Sequence, residues 1–516
     1  MFGIHHHRQL AIVGFTLALI VVAVIASRVS RVTPHVRDAA VNALADRFKS
    51  EVQLDALQVS VFPRPGVSGA GLDVRFNGRA DRVPMIRVDS FMASAGLWGL
   101  MTSPLHLRSV DVEGLVVTLQ TGLRRDPNAP ATAKRSRSKA PRLLIDEIVA
   151  RAARLEILPK DEGKLPRIFE IHNLVMRGLG DGAGSDFHAS LTNPIPRGEI
   201  ATHGTFGPWN ADEPRQTPLR GDYVLKSANL DTIKGIAGTL SSSGVYSGVL
   251  ERIDVKGETE TPDFSIDVAS HPLPLKTRFQ AVVDATNGDT WLEHVEARIA
   301  ETLLTARGAI VRAKEVKGRS VSLDVKIDDG RIEDVLRLAV KAPQPIMTGR
   351  MRLAAKFLLP AGEQDVVDKL ALTGDFSLDE ARFTNMNVQQ RINTLSHRGQ
   401  GSSDDNSPSV VSRLKGRFTL RDGTLTFSNV SFGVPGAAVQ LAGTYNLKAQ
   451  TLDFRGHLLT DASLAEMTTG AKAVLAHIAQ PLFRRTGGGS KIPIKISGPR
   501  EKPVFGLDVK RALGPG

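Results

Sequence analysis

The sequence predicts a mainly β protein. The expected architecture is an elongated, repetitive antiparallel β-sheet curled into a groove or a sandwich, with an N-terminal transmembrane helix and a few capping helices. Three observations carry this expectation: apolar and polar residues alternate over many short stretches, one strand-and-turn motif recurs four times, and one long uncharged apolar run stands near the N-terminus.

Residues 1–27 read as a cytoplasmic head and a transmembrane helix. Leu10 to Ala26, LAIVGFTLALIVVAVIA, is an uncharged, mostly apolar run of 17 residues, at the short end of the roughly 17–25 that span a bilayer core. Arg8 precedes it, and Arg28 and Arg31 follow. A cleavable signal peptide is the competing reading, with Val24-Ile25-Ala26 before Ser27 as its cleavage site. The run exceeds the usual ~7–15 residues of such a segment, which favours a retained anchor. Charge does not orient it, because Arg and Lys do not favour the N-terminal side. A short head and the lack of a second apolar run of this length favour a single pass with the body exported. His5, His6 and His7 read as part of a polar head rather than as metal ligands.

Residues 28–50 form an amphipathic helix. Val29, Val32, Val36, Ala40, Leu44 and Phe48 recur at helical spacing, with Arg31, Arg37, Asp38, Asp46 and Arg47 elsewhere on the surface. The helix lies on the membrane or caps the β body, and capping is preferred because strand patterning starts at once. Residues 51–123 are an N-terminal β region, 124–142 a basic disordered loop, 143–359 a central β region, and 360–516 a C-terminal β region with one long helix. Leu57, Val59 and Val61 alternate with polar neighbours, as do Leu115, Val117 and Leu119, and later Val321, Leu323, Val325 and Ile327. Such strands have one apolar and one polar face.

Four segments align without gaps: GDYVLKSANL from Gly221, GDFSLDEARF from Gly374, GRFTLRDGTL from Gly416 and GTYNLKAQTL from Gly443. In each, an aromatic residue and a Leu two positions later point to one face of a strand. Four turn-like residues follow, then an apolar residue that opens a returning strand, so each segment reads as a β-hairpin. Repetition of one unit argues for an extended sheet. Ile332, Val335, Leu336 and Ala339 predict a short helix, and Leu464 to Leu482 a longer one; Arg124–Arg142 and Ser396–Pro408 read as disordered. The basic segment suits a solvated loop or acidic lipid head groups.

Composition narrows the function. The net charge of +12 and pI near 9.9 suit anionic surfaces or a basic but inert exterior, and the absence of Cys excludes disulfides, thiolate metal sites and cysteine nucleophiles. There is no GxxxxGK[ST], HExxH or GxSxG. The run Gly178-Leu179-Gly180-Asp181-Gly182-Ala183-Gly184 lacks the third glycine of a dinucleotide loop and reads as a turn, and Asp328 and Asp329 beside Gly330 read as another. No enzyme, metal or cofactor is expected, and nucleic acid is not expected as a partner because no aromatic residue accompanies the basic loop.

Two stretches resemble the AsmA family of bacterial envelope proteins. The first is VQLDALQVSVFPRPGVSGAGLDVRFNG followed by MIRVDSFMASAGLWGLMTSPLHLRSVDVEGLVVTLQ. The second is LKGRFTLRDGTLTFSNVSFGVPGAAVQLAGTYNLKAQTLDFRGHL followed by IPIKISGPREKPVFGLDV, with Asn446-Leu447 where that family often has Asp before Leu. The resemblance implies an inner-membrane anchor, a periplasmic β-groove and kinship with bridge-like lipid-transfer proteins. Burying acyl tails at roughly 0.8 kcal/mol per CH2 removes most of the barrier to moving lipid through water. The expected partners are membrane phospholipid, the inner membrane and other envelope proteins; the expected role is outer-membrane biogenesis or maintenance. The groove residues expected are Phe376, Leu378, Phe418, Leu420, Leu425, Phe427, Tyr445, Leu447, Leu452 and Phe454, whose other reading is sealed core. The alternative function is a non-enzymatic scaffold or assembly factor for outer-membrane proteins, acting by strand addition.

Overall fold

The computed structural model describes residues 33–507 apart from 35, 61–64, 76–82, 97–104, 121–142, 159–165, 181, 211–212, 268–270, 314–315, 342–343, 401–409, 463–488 and 501. The apolar run Leu10–Ala26, the basic loop, most of the second segment expected to be disordered and the expected long helix of 464–482 lie outside the described residues. No helix among the described residues is long and apolar enough to cross a membrane. The chain divides into two units: Met1–Ala228, Ser243–Asp254 and Asp284–Asn287 make the first, and Asn229–Ser242, Val255–Val283 and Gly288–Gly516 the second.

In the first unit a helix, α1, covers residues 36–48. Strands β1 (Glu51–Ser60), β2 (Gly66–Arg75), β3 (Ile86–Ala95), β4 (Leu105–Glu113) and β5 (Val116–Gln120) follow. Then come β6 (Leu143–Leu158), β7 (Arg167–Leu179), β8 (Ser185–Pro194), β9 (Arg197–Phe206) and β10 (Pro218–Asn229). The core gathers Val59, Val67, Val88, Ala93, Leu107, Val110, Ala150 and Ala153 with Val36 from α1. The Arg37 guanidinium donates to the Leu54 carbonyl at 2.7 Å, and the Phe48 ring meets Trp209 edge-on. Val36 and Phe48 of the apolar stripe of α1 therefore meet the β body.

The pairing differs from the all-antiparallel expectation: β6 runs parallel to both β4 and β5, while the other registered pairs of this unit are antiparallel. A parallel neighbour needs a long connection, and the 121–142 segment supplies one. The long β6 serves two strands because both sides bend together. Gly114 separates β4 from β5 at φ +66, where a Cβ would strike the Asp89 carboxylate, and Ala152 at φ 54 makes the matching bend in β6. Strand β7 ends within the glycine-rich run at Leu179, and Gly180 and Gly182 take positive φ before β8 begins at Ser185.

The second unit opens with β11 (Ile236–Ala237), β12 (Thr239–Val249), whose C-terminal half belongs to the first unit, β13 (Arg252–Ile266) and β14 (Leu273–Asp284). It continues with β15 (Asp289–Ile299), β16 (Thr302–Arg312), β17 (Arg319–Arg331), helix α2 (Ile332–Ala339), β18 (Met347–Leu359) and helix α3 (Val366–Lys369). Next are β19 (Ala371–Phe383), helix α4 (Met386–Gly399), β20 (Ser412–Arg421), β21 (Thr424–Val434) and β22 (Ala437–Asn446). Strands β23 (Thr451–Thr460), β24 (Ser490–Pro499) and β25 (Val504–Leu507) end it. From β15 to β25 each strand pairs antiparallel with the next.

The recurring motif has two outcomes. From Gly416 and from Gly443 it makes the expected hairpins, β20–β21 through Asp422-Gly423 and β22–β23 through Gln450. From Gly221 and Gly374 it does not turn: Ser227 (φ 52) and Glu380 (φ 56) bend single continuous strands, β10 and β19. In β19 the pairing register to β20 shifts between Leu378 and Ala381. The extra residue returns Ala381 and Phe383 to the face of Leu378, so Asp379-Glu380 make a bulge. Asp328 and Asp329 likewise lie within β17 at a register shift, not in a turn, and Asp329 takes a two-pronged contact from Arg350 on β18. That hydrogen bond, then the guanidinium charge, holds the exposed Asp329 carboxyl below its ordinary range.

Helix α2 forms where its apolar spacing predicts, and Ile332, Val335 and Leu336 pack against Ile327, Met347, Met351, Leu378 and Ala381. Its buried Asp334 accepts from the Thr302 hydroxyl at 2.8 Å and the Glu301 amide at 3.2 Å. Asp334→Ala leaves those two donors without their acceptor, so we expect a loss of about 2 kcal/mol in a urea titration. Helix α4 has no counterpart in the sequence reading, which placed Ser396–Gly399 in a disordered stretch. Its sequence is polar; tertiary hydrogen bonds hold it. Gln389 accepts from the Phe383 amide and donates to the Val410 carbonyl, and fully buried Ser396 donates to the Pro435 carbonyl.

Candidate functional site

Because side chains alternate across a strand, register decides which apolar residues become neighbours. In the second unit the registers align them into rows that cross the strands. One row runs Leu323, Phe357, Leu372, Leu420, Leu425, Tyr445 and Leu452. The next runs Val295, Ala306, Val325, Ala355, Gly374, Phe418, Phe427, Gly443, Phe454, Ile496 and Phe505, without a polar residue from β15 to β25. A third includes Ile327, Leu353, Phe376, Gly416, Val430, Leu441, Gly456 and Ile494.

Eight of the ten residues singled out in the sequence stand in these rows; Leu378 pairs instead with Met351 and Leu414, and Leu447 has no strand partner among the described residues. Leu378 is 2% exposed and Leu420 4%, so both are packed interior. The other eight are half-buried. Leu447 lies just past β22, where its amide donates to the Gly423 carbonyl. The aromatic members form a ladder: Phe376 is 6.2 Å from Phe418 and 6.3 Å from Phe427 between ring centroids, and Phe427 is 5.7 Å from Phe454. These separations suit offset and edge contacts. Glycine makes the room. A Cβ on Gly416 would stand 3.0 Å from the Phe376 ring and 2.9 Å from the Asn429 carbonyl.

Along β15–β25 the fully buried apolar residues gather mainly near α2 and α4; Leu323, Val325, Leu353, Phe357, Leu372, Ile494 and Ile496 are half-buried like the ladder. None of these seven is among the ten expected groove residues, although Leu323 and Val325 belong to an alternating stretch read from the sequence. Their signal, the period-two alternation, is in the sequence, but their place in the rows needs the register of strands separated by up to dozens of residues.

The other face is charged and exposed. A depression of about 600 Å³ there is edged by Lys326, Asp328, Arg352, Asp375, Lys415 and Arg417. Arg417 pairs with Asp375 at 2.9 Å, Lys326 with Asp328 at 2.8 Å, and Arg352 with Asp379 at 3.6 Å. The charges largely answer one another, which is the pattern of a solvated surface. Among the described residues, no three His, Asp or Glu side chains group as a metal site. The residues named in the three rows include no carboxylate, imidazole or amine. Comparison with family models, curated proteins and solved structures finds no match for this chain.

Proposed function

We propose that the second unit binds phospholipid acyl chains on its apolar rows, and that the chain is a non-enzymatic lipid-handling protein of a bacterial envelope. In this reading Leu10–Ala26 anchors it once in the inner membrane, the β body lies in the periplasm, and its task is outer-membrane biogenesis or maintenance. The observation that carries the reading is the uninterrupted apolar row from Val295 to Phe505, most of whose members are only partly buried. A sealed core of this extent would bury those side chains; at about 25 cal/mol per Å² the uncovered part is a standing cost that a hydrocarbon ligand removes. The AsmA resemblance points the same way.

The test is labelling of the full-length chain with a photoactivatable fatty acid, followed by peptide mapping. Adducts are expected on β19–β24, concentrated at the ladder. Adducts confined to other segments, or none, overturn the reading. A scaffold role has its own support in β25, which pairs with β24 and leaves Val504 63% and Phe505 64% exposed. Co-purification of outer-membrane proteins with an unlabelled chain would favour that role.

A further inference from the structure

Successive antiparallel strands place their connections alternately at two margins of a sheet. In the second unit β13 lies beside β14, with Thr259 on Thr277 and Lys276 on Glu260, and β14 beside β15, with the Ala300 amide on the Pro274 carbonyl. One margin carries the β13–β14 connection, α2 and α4, and the other the β18–β19 loop with α3 and the β20–β21 and β22–β23 turns. Strand β11 belongs to the first margin. Ile236 pairs with Ile266 at the end of β13, and the Asp267 amide donates to the Gly235 carbonyl at 3.2 Å.

Yet the segment just before β11 touches the opposite margin. Lys234 Nζ lies 2.9 Å from Asp365 Oδ1 and 3.5 Å from the Glu363 carbonyl, and a Cβ on Gly235 would stand 3.1 Å from Val366. On a flat sheet of 13-residue strands such as β17, the margins would be about 40 Å apart, and six strand spacings from β13 to β19 would add about 29 Å sideways. These contacts form only if β13–β19 roll until margin meets margin. The burial pattern says which face is inside: Leu323, Val325, Leu353 and Phe357 are half-buried, while Asp324, Lys326, Arg352 and Lys356 are exposed.

We infer that the contact of Lys234 and Gly235 with Asp365 and Val366 is a clasp that closes the apolar trough across β13–β19 and gates the passage of acyl chains there. The inference rests on the acyl-chain reading above and adds where and how the site is regulated. Neighbouring pairs brace the loop that carries the catch: Lys317 with Glu363 at 2.7 Å and Lys448 with Asp368 at 2.6 Å. The hydrogen bond and then the charge of Lys234 hold the Asp365 carboxyl below its usual range. Both side chains are solvent-exposed and the pair is individually weak, as suits a closure that opens. The apolar rows run from the ladder strands β20–β23 into the clasped strands, so a chain that lies along both is released only when the clasp parts.

The absence of native cysteine gives a clean test. Lys234→Cys with Asp365→Cys in the full-length chain is treated with a short bismaleimide, and exchange of a bound fluorescent fatty acid is followed. We expect intramolecular cross-linking and at least ~10-fold slower exchange at unchanged occupancy, because closure limits release. Lys234→Glu is expected to speed exchange, and Lys234→Glu with Asp365→Lys to restore it. Failure to cross-link overturns the clasp. Cross-linking with unchanged exchange overturns the gate and leaves lipid binding standing. A wild-type chain that captures no fatty acid overturns the acyl-chain reading and the gate with it, whatever the cross-linking yield.

Discussion

Phe427→Asp is expected to weaken binding of a fluorescent fatty acid about 100-fold while the β fold persists. Phe427 stands mid-ladder, with Phe376 and Phe454 at 6.3 and 5.7 Å and Phe418 and Gly443 as its cross-strand partners. Removing one phenyl contact forfeits about 1.5–3 kcal/mol of apolar burial. A carboxylate in its place would also have to shed water when hydrocarbon covers it, at a further ~1–3 kcal/mol or more. Together these come to about 2.5–6 kcal/mol, and each 1.4 kcal/mol is tenfold in affinity, so about 100-fold is the lower part of the range. Without ligand the new carboxylate reaches solvent, because the position is only half-buried. The expected loss of stability is therefore smaller, about 1–2 kcal/mol from ring contacts. Fatty-acid titration alongside circular-dichroism melting separates the two effects. Unchanged affinity in a folded variant would mean that the ladder does not touch ligand.

Leu378→Asp should do the opposite and unfold the second unit. Leu378 is 2% exposed and packs among Ile327, Met347, Met351 and Ala381, against which α2 is seated. Truncation alone, in Leu378→Ala, is expected to cost about 3 kcal/mol. An unpaired carboxylate at the same place adds its desolvation, taking the total past about 5 kcal/mol, comparable with the whole stability of a typical domain. Urea unfolding followed by circular dichroism should show a graded loss for Ala and no cooperative transition for Asp. If Leu378→Asp melts like the wild type, the α2 cluster is not the core that burial indicates. Leu420, at 4% exposure, is expected to follow Leu378 rather than the ladder. Its neighbour in the row, Leu425, is half-buried and should follow Phe427.

How far the site could be read in advance is visible in particular residues. The hairpins from Gly416 and Gly443 were legible because turn chemistry is local: Asp422-Gly423 and Gln450 sit at positive φ where the pattern called for a turn. The same pattern from Gly374 gives a bulge in place of the turn. A turn and a bulge both need one residue in the left-handed region, and only the neighbouring strand decides whether Glu380 ends pairing or shifts it. Helix α4 was illegible because its helical register owes little to an apolar stripe and much to Gln389 and Ser396 meeting distant carbonyls. The parallel placement of β6 was also out of reach, since its outcome depends on pairing with β4 and β5 across a long connection.

The division follows from the range of the forces. Period-two alternation and turn residues act within a few positions, so the sequence by itself determined that this chain makes strands with one apolar and one polar face, and named ten residues on that face. Register, and hence the unbroken row from Val295 to Phe505, arises from pairing between strands. The split of those ten residues into two interior leucines and eight half-open positions depends on what α2, α4 and the neighbouring strands cover. The meeting of Lys234 with Asp365, 131 residues apart, depends on a roll summed over every strand between them. Only the tertiary structure carries that sum, because no local pattern encodes the angle each pair of strands contributes to it.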